Sequence, residues 1–148
     1  MKHFKPEEFG GWYDQLNPSL KRNLDDLRGA WGQPIVISPV KGAVGRKKGK
    51  ANTSQHNVDR WGEVRAVDVM PVGIKTLNDA RLFRAMAEDH GFAGIGFYPF
   101  WNPRPGFHLD IRVAECEGCV AQWGGVLYKG KQIYVGMATA LNKFARNN

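Results

Sequence analysis

The 148-residue chain contains 43% hydrophobic and 24% charged residues and carries a formal net charge of +7. This balance is typical of a globular domain, and no run of about 20 apolar residues predicts a membrane-spanning helix. The positive charge favours anionic partners such as an acidic cell wall. Nucleic acid is not an expected partner, because no DNA-reading helix or aromatic platform accompanies the charge.

The first half of the chain predicts a helix, a strand and a long loop. Asn17 followed by Pro18 is typical of a helix start, and Gly32 of a helix end. The apolar positions between them recur at helical spacing, at Leu20, Leu24, Leu27 and Trp31. Residues 35–37 then predict a short buried strand, and the glycine- and lysine-rich residues 40–53 predict a long loop.

The second half predicts strands, a hairpin and two helices. The predicted strands are residues 65–70, 95–98 and 107–113, followed by a hairpin of residues 126–128 with 132–134. Thr76 and Asp79 resemble a capping box, which opens a helix that ends at His90. A last helix is expected through Met137, Leu141 and Phe144. This order predicts an α+β fold with a small, mostly antiparallel sheet flanked by helices, and residues 1–148 are expected to form a single domain.

Cys116 and Cys119 form a C-x-x-C pair and are the only cysteines in the sequence. A structural zinc site would need a second pair, and a thioredoxin-like site would need a strand-to-helix junction in a βαβ unit. The spacing leaves open both a disulfide and two free thiols. We expect reduced thiols in a turn.

The predicted strand at residues 107–113 has one polar face. Because side chains alternate between the two faces of a strand, its odd-numbered residues, from Phe107 to Val113, are expected in the core. The polar residues His108, Asp110 and Arg112 then share the opposite face. Such a face is either solvent-exposed surface or a functional site.

Asp68 is the one acidic residue within the apolar strand predicted at residues 65–70. A carboxylate at such a position needs a charged or metal partner, because burying an isolated charge is costly. With His56 and His108, Asp68 would complete a set of three zinc ligands that leaves a fourth position for water. From spacing alone, the three residues could also be unrelated.

Motifs spread along most of the chain resemble a peptidase pattern. Ser54-x-His56, Gly62, Ala66-x-Asp68 and His108-x-Asp110 resemble the S-x-H…G-x-A-x-D…H-x-D pattern of the D-alanyl-D-alanine carboxypeptidase family, which includes phage L-alanyl-D-glutamate endopeptidases. Further likeness lies at residues 4–9, 24–28 and 34–38 and at Trp123. The resemblance implies the Hedgehog/DD-peptidase fold.

The resemblance also implies an activity and a set of site residues. It implies that His56, Asp68 and His108 bind one Zn²⁺, and that the chain hydrolyses peptide bonds in the stem peptides of peptidoglycan. It further implies that Arg46 binds a substrate carboxylate. A guanidinium suits this role because it can donate two parallel hydrogen bonds to one carboxylate. The alternative is that Arg46 is one charge of a solvated basic loop. Ser54 is expected to bind substrate or to orient His56.

Two departures from the family pattern affect the expected site. The spacing between the first histidine and the aspartate is longer than usual, so Asp59 to Trp61 is expected to form an inserted turn beside the site. Pro105 stands where many relatives carry an acidic general base. We therefore predict that Asp110 is the general base, and Glu63 is the second candidate for this role. The alternative for Asp110 is that it fixes the tautomer of His108.

Together these features predict a zinc metallopeptidase of the phage endolysin type. It is expected to be a monomer that is made in the cytoplasm without a signal peptide. It would act on the cell wall after release, or as a virion-associated lysin. Both an endopeptidase and a carboxypeptidase activity fit the pattern. The alternative is a non-catalytic, zinc-containing wall-binding module of the same fold, in which Pro105 marks the loss of catalysis.

Overall fold

The computed structural model describes residues 1–147, in which helices and strands follow nearly the predicted order. The helices are α1 (Pro18–Trp31), α2 (Val58–Trp61), α3 (Leu77–Asp89) and α4 (Met137–Arg146). The strands are β1 (Ile35–Ile37), β2 (Ala66–Pro71), β3 (Gly94–Tyr98), β4 (Gly106–Asp110), β5 (Ala121–Tyr128) and β6 (Lys131–Val135). A 3-10 segment, Pro6–Gln15, precedes α1. No helix within residues 1–147 is long and apolar enough to cross a membrane.

The six strands form one mixed sheet in the order β1-β2-β4-β3-β5-β6. Neighbouring strands are antiparallel except β3 and β5, which run parallel. The prediction of an α+β fold with a mostly antiparallel sheet is confirmed. In the register of β2 with β4, Asp68 lies opposite His108. Residues opposite each other on paired strands project to the same face, so the two side chains are neighbours.

Helix α1 has the bounds that the sequence predicts, because its capping residues act locally. The side-chain oxygen of Asn17 accepts the backbone N–H of Ser19 at 2.8 Å, and Gly32 ends the helix with a φ of 76°. The capping box that opens α3 is also present, with Asp79 N–H donating to Thr76 Oγ1 at 3.2 Å.

The hydrophobic core fills the space between the helices and one face of the sheet. Phenylalanine rings connect the layers: Phe107 lies 4.7 Å from Phe83 of α3 and 4.8 Å from Phe97 of β3, measured between centroids. Phe97 in turn meets Phe144 of α4 edge-on at 5.5 Å. Since side chains alternate along β2 and β4, the core takes Val67, Val69, Phe107 and Leu109, and the opposite face of the sheet carries Asp68, His108 and Asp110.

Strand β4 is shorter than predicted and ends at Asp110. The carboxylate of Asp110 accepts the backbone N–H of Arg112 at 3.0 Å, which turns the chain away from the sheet. As a result, Val113 is 84% exposed. Its predicted place in the core is wrong, because the alternation that predicted it holds only while the strand continues.

The cysteine pair is joined in a disulfide between Cys116 and Cys119. A turn in which the Cys119 N–H donates to the Cys116 carbonyl at 3.1 Å brings the two residues together, with 5.1 Å between their Cα atoms. The expectation of reduced thiols is therefore wrong. The predicted turn is present.

The sequence did not predict two short helical segments. One is the 3-10 segment, whose Phe9 is buried in the core. The other is α2, which occupies the inserted turn expected at residues 59–61. The side chain of Asn57 caps α2 by accepting the N–H of Asp59 at 3.2 Å, and Gly62 ends it. Helix α2 begins two residues after His56, so the insertion lies beside the predicted site.

Substitution of Gly124 tests the packing of α4 on the sheet. A Cβ atom at Gly124 would lie 2.3 Å from the Cβ of Ala140 and 3.1 Å from the carbonyl oxygen of Phe97. We expect Gly124→Ala to lower the free energy of unfolding by about 1–3 kcal/mol, the usual cost of overpacking. Denaturant unfolding measures the change. Gly11→Ala is the control, because a Cβ there meets nothing within 4 Å. Equal stability of the two variants would contradict this account.

Candidate metal centre and substrate pocket

The three predicted ligands meet on the polar face of the sheet. Asp68 Oδ1 lies 3.1 Å from His108 Nδ1 and 3.2 Å from His56 Nε2. The two ring nitrogens are 3.2 Å apart. In a tetrahedral zinc site with ligands at about 2.0–2.1 Å from the ion, neighbouring ligand atoms are about 3.3 Å apart. This ligand triangle, formed by His56, Asp68 and His108, therefore has the size needed to hold a zinc ion.

A hydrogen bond on the outer side of each ring orients the two histidines. His56 Nδ1 donates to the carbonyl oxygen of Val44 at 2.7 Å, and His108 Nε2 donates to Asp110 Oδ2 at 2.7 Å. These bonds place a proton on the outer nitrogen and leave the lone pair of the inner one pointing into the triangle. Two lone pairs and a carboxylate oxygen in contact repel one another unless a cation lies between them. The donor set therefore fits a divalent metal.

The hydrogen bonds and charges among these residues also shift the pKa values of His108 and Asp68. Burial alone would lower the pKa of His108, but its hydrogen bonds with Asp110 and Asp68 outweigh burial and raise the pKa to about 8. Burial would raise the pKa of Asp68, yet its hydrogen bonds with His108 and His56 hold it well below the usual range. A proton on His108 thus balances the negative charge of this cluster when no metal does.

The ligand triangle opens into a pocket of about 550 Å³. The lining residues are Arg46, Thr53, Ser54, Gln55, His56, Asp68, Tyr98, Trp101, His108, Arg112, Trp123, Gln132 and Tyr134. Within this lining, Asp68 is the only residue with a carboxylate. Glu63, the reserve candidate for the base, lies outside it and accepts a hydrogen bond from the side chain of Asn17.

An aromatic wall of the pocket was not predicted as part of the site. Its central contact is a hydrogen bond of 2.9 Å from Trp123 Nε1 to the hydroxyl oxygen of Tyr98. The ring of Trp101 stacks on Tyr98 with 4.2 Å between centroids, and the ring of Trp123 lies 5.1 Å from that of His108. Two signals were available: the family likeness at Trp123, and the aromatic residues at and after the end of β3, which predict apolar packing as readily as a pocket.

Gly96 makes room for this wall beside the ligand triangle. It is the register partner of His108 on the neighbouring strand β3. A Cβ atom at Gly96 would lie 2.5 Å from Trp123 Nε1 and 3.0 Å from the ring of Tyr98. The two rings can therefore meet over this position only because it carries no side chain.

A family model described as peptidase M15 matches residues 4–103, which is more than half of the chain. The chain belongs to the peptidase M15 family. The match includes His56 and Asp68 and ends before His108. The assignment of His108 as the third ligand therefore depends on the distances in the structure. Peptidase M15 enzymes are zinc-dependent, which agrees with the donor set. No curated protein and no solved structure matched the chain.

In this M15 chain, Asp110 lies behind His108. The carboxylate is fully buried and is held by Arg112, at 2.9 Å from Nε and 2.6 Å from Nη2. Burial raises the pKa of this carboxyl, but Arg112 and His108 together hold it well below the usual range. The imidazole separates Asp110 from the ligand triangle. The base role of Asp110 stays a prediction, and the geometry favours the alternative, in which it fixes the tautomer of His108.

The two predicted substrate-binding residues both line the pocket. Arg46 donates from Nε to the carbonyl of Gly42 at 2.7 Å, and its Nη2 lies 3.5 Å from Asp68 Oδ2. Ser54 Oγ accepts the backbone N–H of His56 at 3.3 Å. Ser54 therefore supports the loop that carries one ligand, and Arg46 places its guanidinium beside another.

Substitution of Asp110 separates its two roles. If it positions His108, Asp110→Asn should weaken zinc binding about 10–100-fold, as loss of a histidine's outer partner usually does. Competition with a chromophoric chelator measures the affinity, and circular dichroism checks the fold. Asp25→Asn is the control, because Asp25 is also buried but accepts the backbone N–H groups of Lys2 and His3 instead. Unchanged zinc affinity together with lost hydrolysis would favour the base role.

Proposed function

We propose that this chain is a zinc-dependent peptidase that hydrolyses peptide bonds in the stem peptides of bacterial peptidoglycan, as a phage-encoded or virion-associated lysin. The observation that carries the proposal is the ligand triangle, with sides of 3.1–3.2 Å, in the wall of an open pocket. Membership of the peptidase M15 family supports both the metal and the substrate class.

The ligands, Arg46 and Asp110 would have different roles around the metal. Zinc held by His56, Asp68 and His108 would polarise the scissile carbonyl and lower the pKa of a bound water to about 7. Arg46 has a guanidinium at the pocket wall and would bind a carboxylate of the substrate. Asp110 would keep the Nε2 proton on His108 and so preserve its ligand lone pair.

Tyr98 is the residue that we assign to the carbonyl oxygen of the substrate, where negative charge develops. Its oxygen accepts the Trp123 N–H, so its own proton is free to point into the pocket, and residues 1–147 offer it no acceptor. Burial raises the pKa of Tyr98 to about 12, although the hydrogen bond from Trp123 lowers it. The hydroxyl is therefore protonated at neutral pH and can donate.

One observation favours a second function. Apart from the ligand Asp68, no residue in the described pocket lining offers a carboxylate as a base, and Pro105 stands where many relatives carry one. The alternative is a non-catalytic module that contains zinc and binds the cell wall. It predicts zinc content and peptidoglycan binding without the release of peptide ends.

The basic loop, residues 41–50, supports attachment to an anionic wall in either case. Its lysines, Lys41, Lys47, Lys48 and Lys50, are all exposed. Lys41, Lys47 and Lys48 line a separate cavity of about 840 Å³ together with Trp12. An exposed cluster of cations attracts anionic polymers, and salt at 0.1 M screens that attraction beyond about 10 Å. We propose that the loop holds the chain to the wall while the pocket meets the peptide.

A hydrolysis assay with a ligand variant tests the function. The zinc-loaded chain should release new amino termini from purified peptidoglycan. His108→Ala should lose both zinc and at least about 10²-fold in rate. Zinc is measured by mass spectrometry and peptide ends by chromatography. His90→Ala is the control, because His90 lies at the end of α3, where its side chain hydrogen-bonds to the carbonyl oxygen of Met86 and not to the ligand triangle. Full zinc and full activity in His108→Ala would disprove the ligand assignment.

A second variant tests the hydroxyl donor. Tyr98→Phe keeps the ring that stacks on Trp101 but removes the donor, so kcat should fall about 10²-fold while zinc content and KM change little. Steady-state rates on a soluble stem peptide give both constants. Tyr134→Phe is the control, since this tyrosine lines the same pocket but is 73% exposed. Equal losses in the two variants would remove Tyr98 from the mechanism.

A further inference from the structure

A second cavity adjoins the substrate pocket. It has a volume of about 470 Å³, and Gln55 and Arg112 line both spaces. These two side chains therefore form the partition between the ligand triangle and the second cavity. The outer walls come from Trp61 and Arg65 on one side and from residues 113–115 and 119–121 on the other.

Arg65 brings a positive charge to this cavity that the protein neutralises poorly. Its guanidinium lies over the ring of Trp61, 4.7 Å from the centroid, and its side chain is only 16% exposed. Within residues 1–147, its buried Nε has no hydrogen-bond partner. The closest carboxylate oxygen, from Glu63, lies 3.9 Å away, which is beyond hydrogen-bonding distance. Leaving buried donors unpaired is costly, so this group is suited to an outside acceptor.

Arg112 adds a second guanidinium to the same lining. It uses Nε and Nη2 to hold Asp110, and its guanidinium lies over the ring of Trp123, 5.1 Å from the centroid. In the described chain its Nη1 makes no hydrogen bond. Gln55 contributes the complementary group, because its buried side-chain oxygen has no donor. The one carboxylate of the lining belongs to Glu115, which is exposed. The cavity thus combines the poorly paired guanidinium of Arg65, the remaining N–H groups of the Asp110-bound Arg112 and one unpaired acceptor.

The disulfide fixes the opposite wall. Cys119 lines the cavity, and its bond to Cys116 closes a turn in the loop between β4 and β5. The Cys119 N–H also donates to the Cys116 carbonyl at 3.1 Å. A wall held in this way faces Arg65 at a set position, which favours binding because little conformational freedom is lost. This gives the C-x-x-C motif a place in the site.

We propose that the second cavity is a substrate subsite, which binds a free carboxylate of the peptide at a position away from the scissile bond. The proposal rests on the proposed function and specifies its substrate class. Guanidinium groups bind carboxylates through charge-assisted paired hydrogen bonds, and the Gln55 oxygen would accept a backbone N–H of the same peptide. The substrate is thus an acidic peptide that extends past Arg112 from the pocket into the cavity.

Two peptides and two arginine variants test this subsite. One probe is a stem tetrapeptide with free carboxylates, and the other is the same peptide after amidation of its carboxylates. Binding to the zinc-loaded protein is read from tryptophan fluorescence in the first seconds after mixing. Arg65→Gln should raise Kd for the acidic peptide about 10-fold or more and leave Kd for the amidated peptide unchanged. Zinc content should not change.

Arg60→Gln is the matched control. Arg60 lies over the same ring of Trp61, at 5.0 Å, but is exposed and does not line the cavity. It should leave both dissociation constants unchanged. Arg65→Lys keeps the charge over Trp61 and loses the fork, so it should bind the acidic peptide more weakly than the wild type while unfolding at the same temperature. This variant tests the subsite even if Arg65→Gln does not fold.

Hydrolysis of the two peptides is followed separately, by the release of new ends. If the wild type cleaves neither peptide but Arg65→Gln still weakens binding of the acidic one, the subsite stands and the proposed function fails. If the wild type cleaves and the arginine variants bind both peptides like the wild type, the function stands and the subsite is wrong. An equal loss for the acidic and the amidated peptide would also overturn the subsite.

Discussion

The contact between Asp68 and His108 across β2 and β4 is the interaction on which the site depends. Strand pairing puts the two residues in register, and Asp68 Oδ1 and His108 Nδ1 come within 3.1 Å. A carboxylate in a buried strand is costly without a partner, and an imidazole lone pair that faces it adds repulsion. Only a cation resolves both costs, whether it is a proton on His108 or a metal shared with His56.

The surroundings of the triangle serve to keep the ligands in one state. The Val44 carbonyl and the Asp110 carboxylate hold the outer protons of the two rings, and Arg112 keeps Asp110 charged and fixed. Each of these partners acts through a histidine; Val44 and Asp110 lie outside the described pocket lining, and only Arg112 also lines the pocket. In the proposed function, this arrangement would set the metal affinity and the ligand orientation, while the residues that line the pocket would contact the substrate.

The pocket differs from one built around an acidic base. Its described lining is rich in aromatic rings and guanidinium groups and has no carboxylate beyond the ligand Asp68. Such a wall would suit the anionic peptide of the proposed function, because positive charge attracts carboxylates. In the proposed function, Pro105 would replace an acidic base, and the hydroxyl of Tyr98 would supply a neutral hydrogen-bond donor.

The sequence by itself determined the features that depend on neighbours along the chain. Asn17 and Gly32 bound α1 through local hydrogen bonds, and the alternation of residues in β4 separated His108 from the core. Only the tertiary structure decided which polar residues meet. It placed Asp110 behind His108, brought Tyr98 and Trp123 together over Gly96, and joined Arg65 and Arg112 in one cavity. Such contacts follow from strand order and register, which bring together residues far apart in the chain. They therefore produce no periodic pattern of residues from which the sequence could predict them.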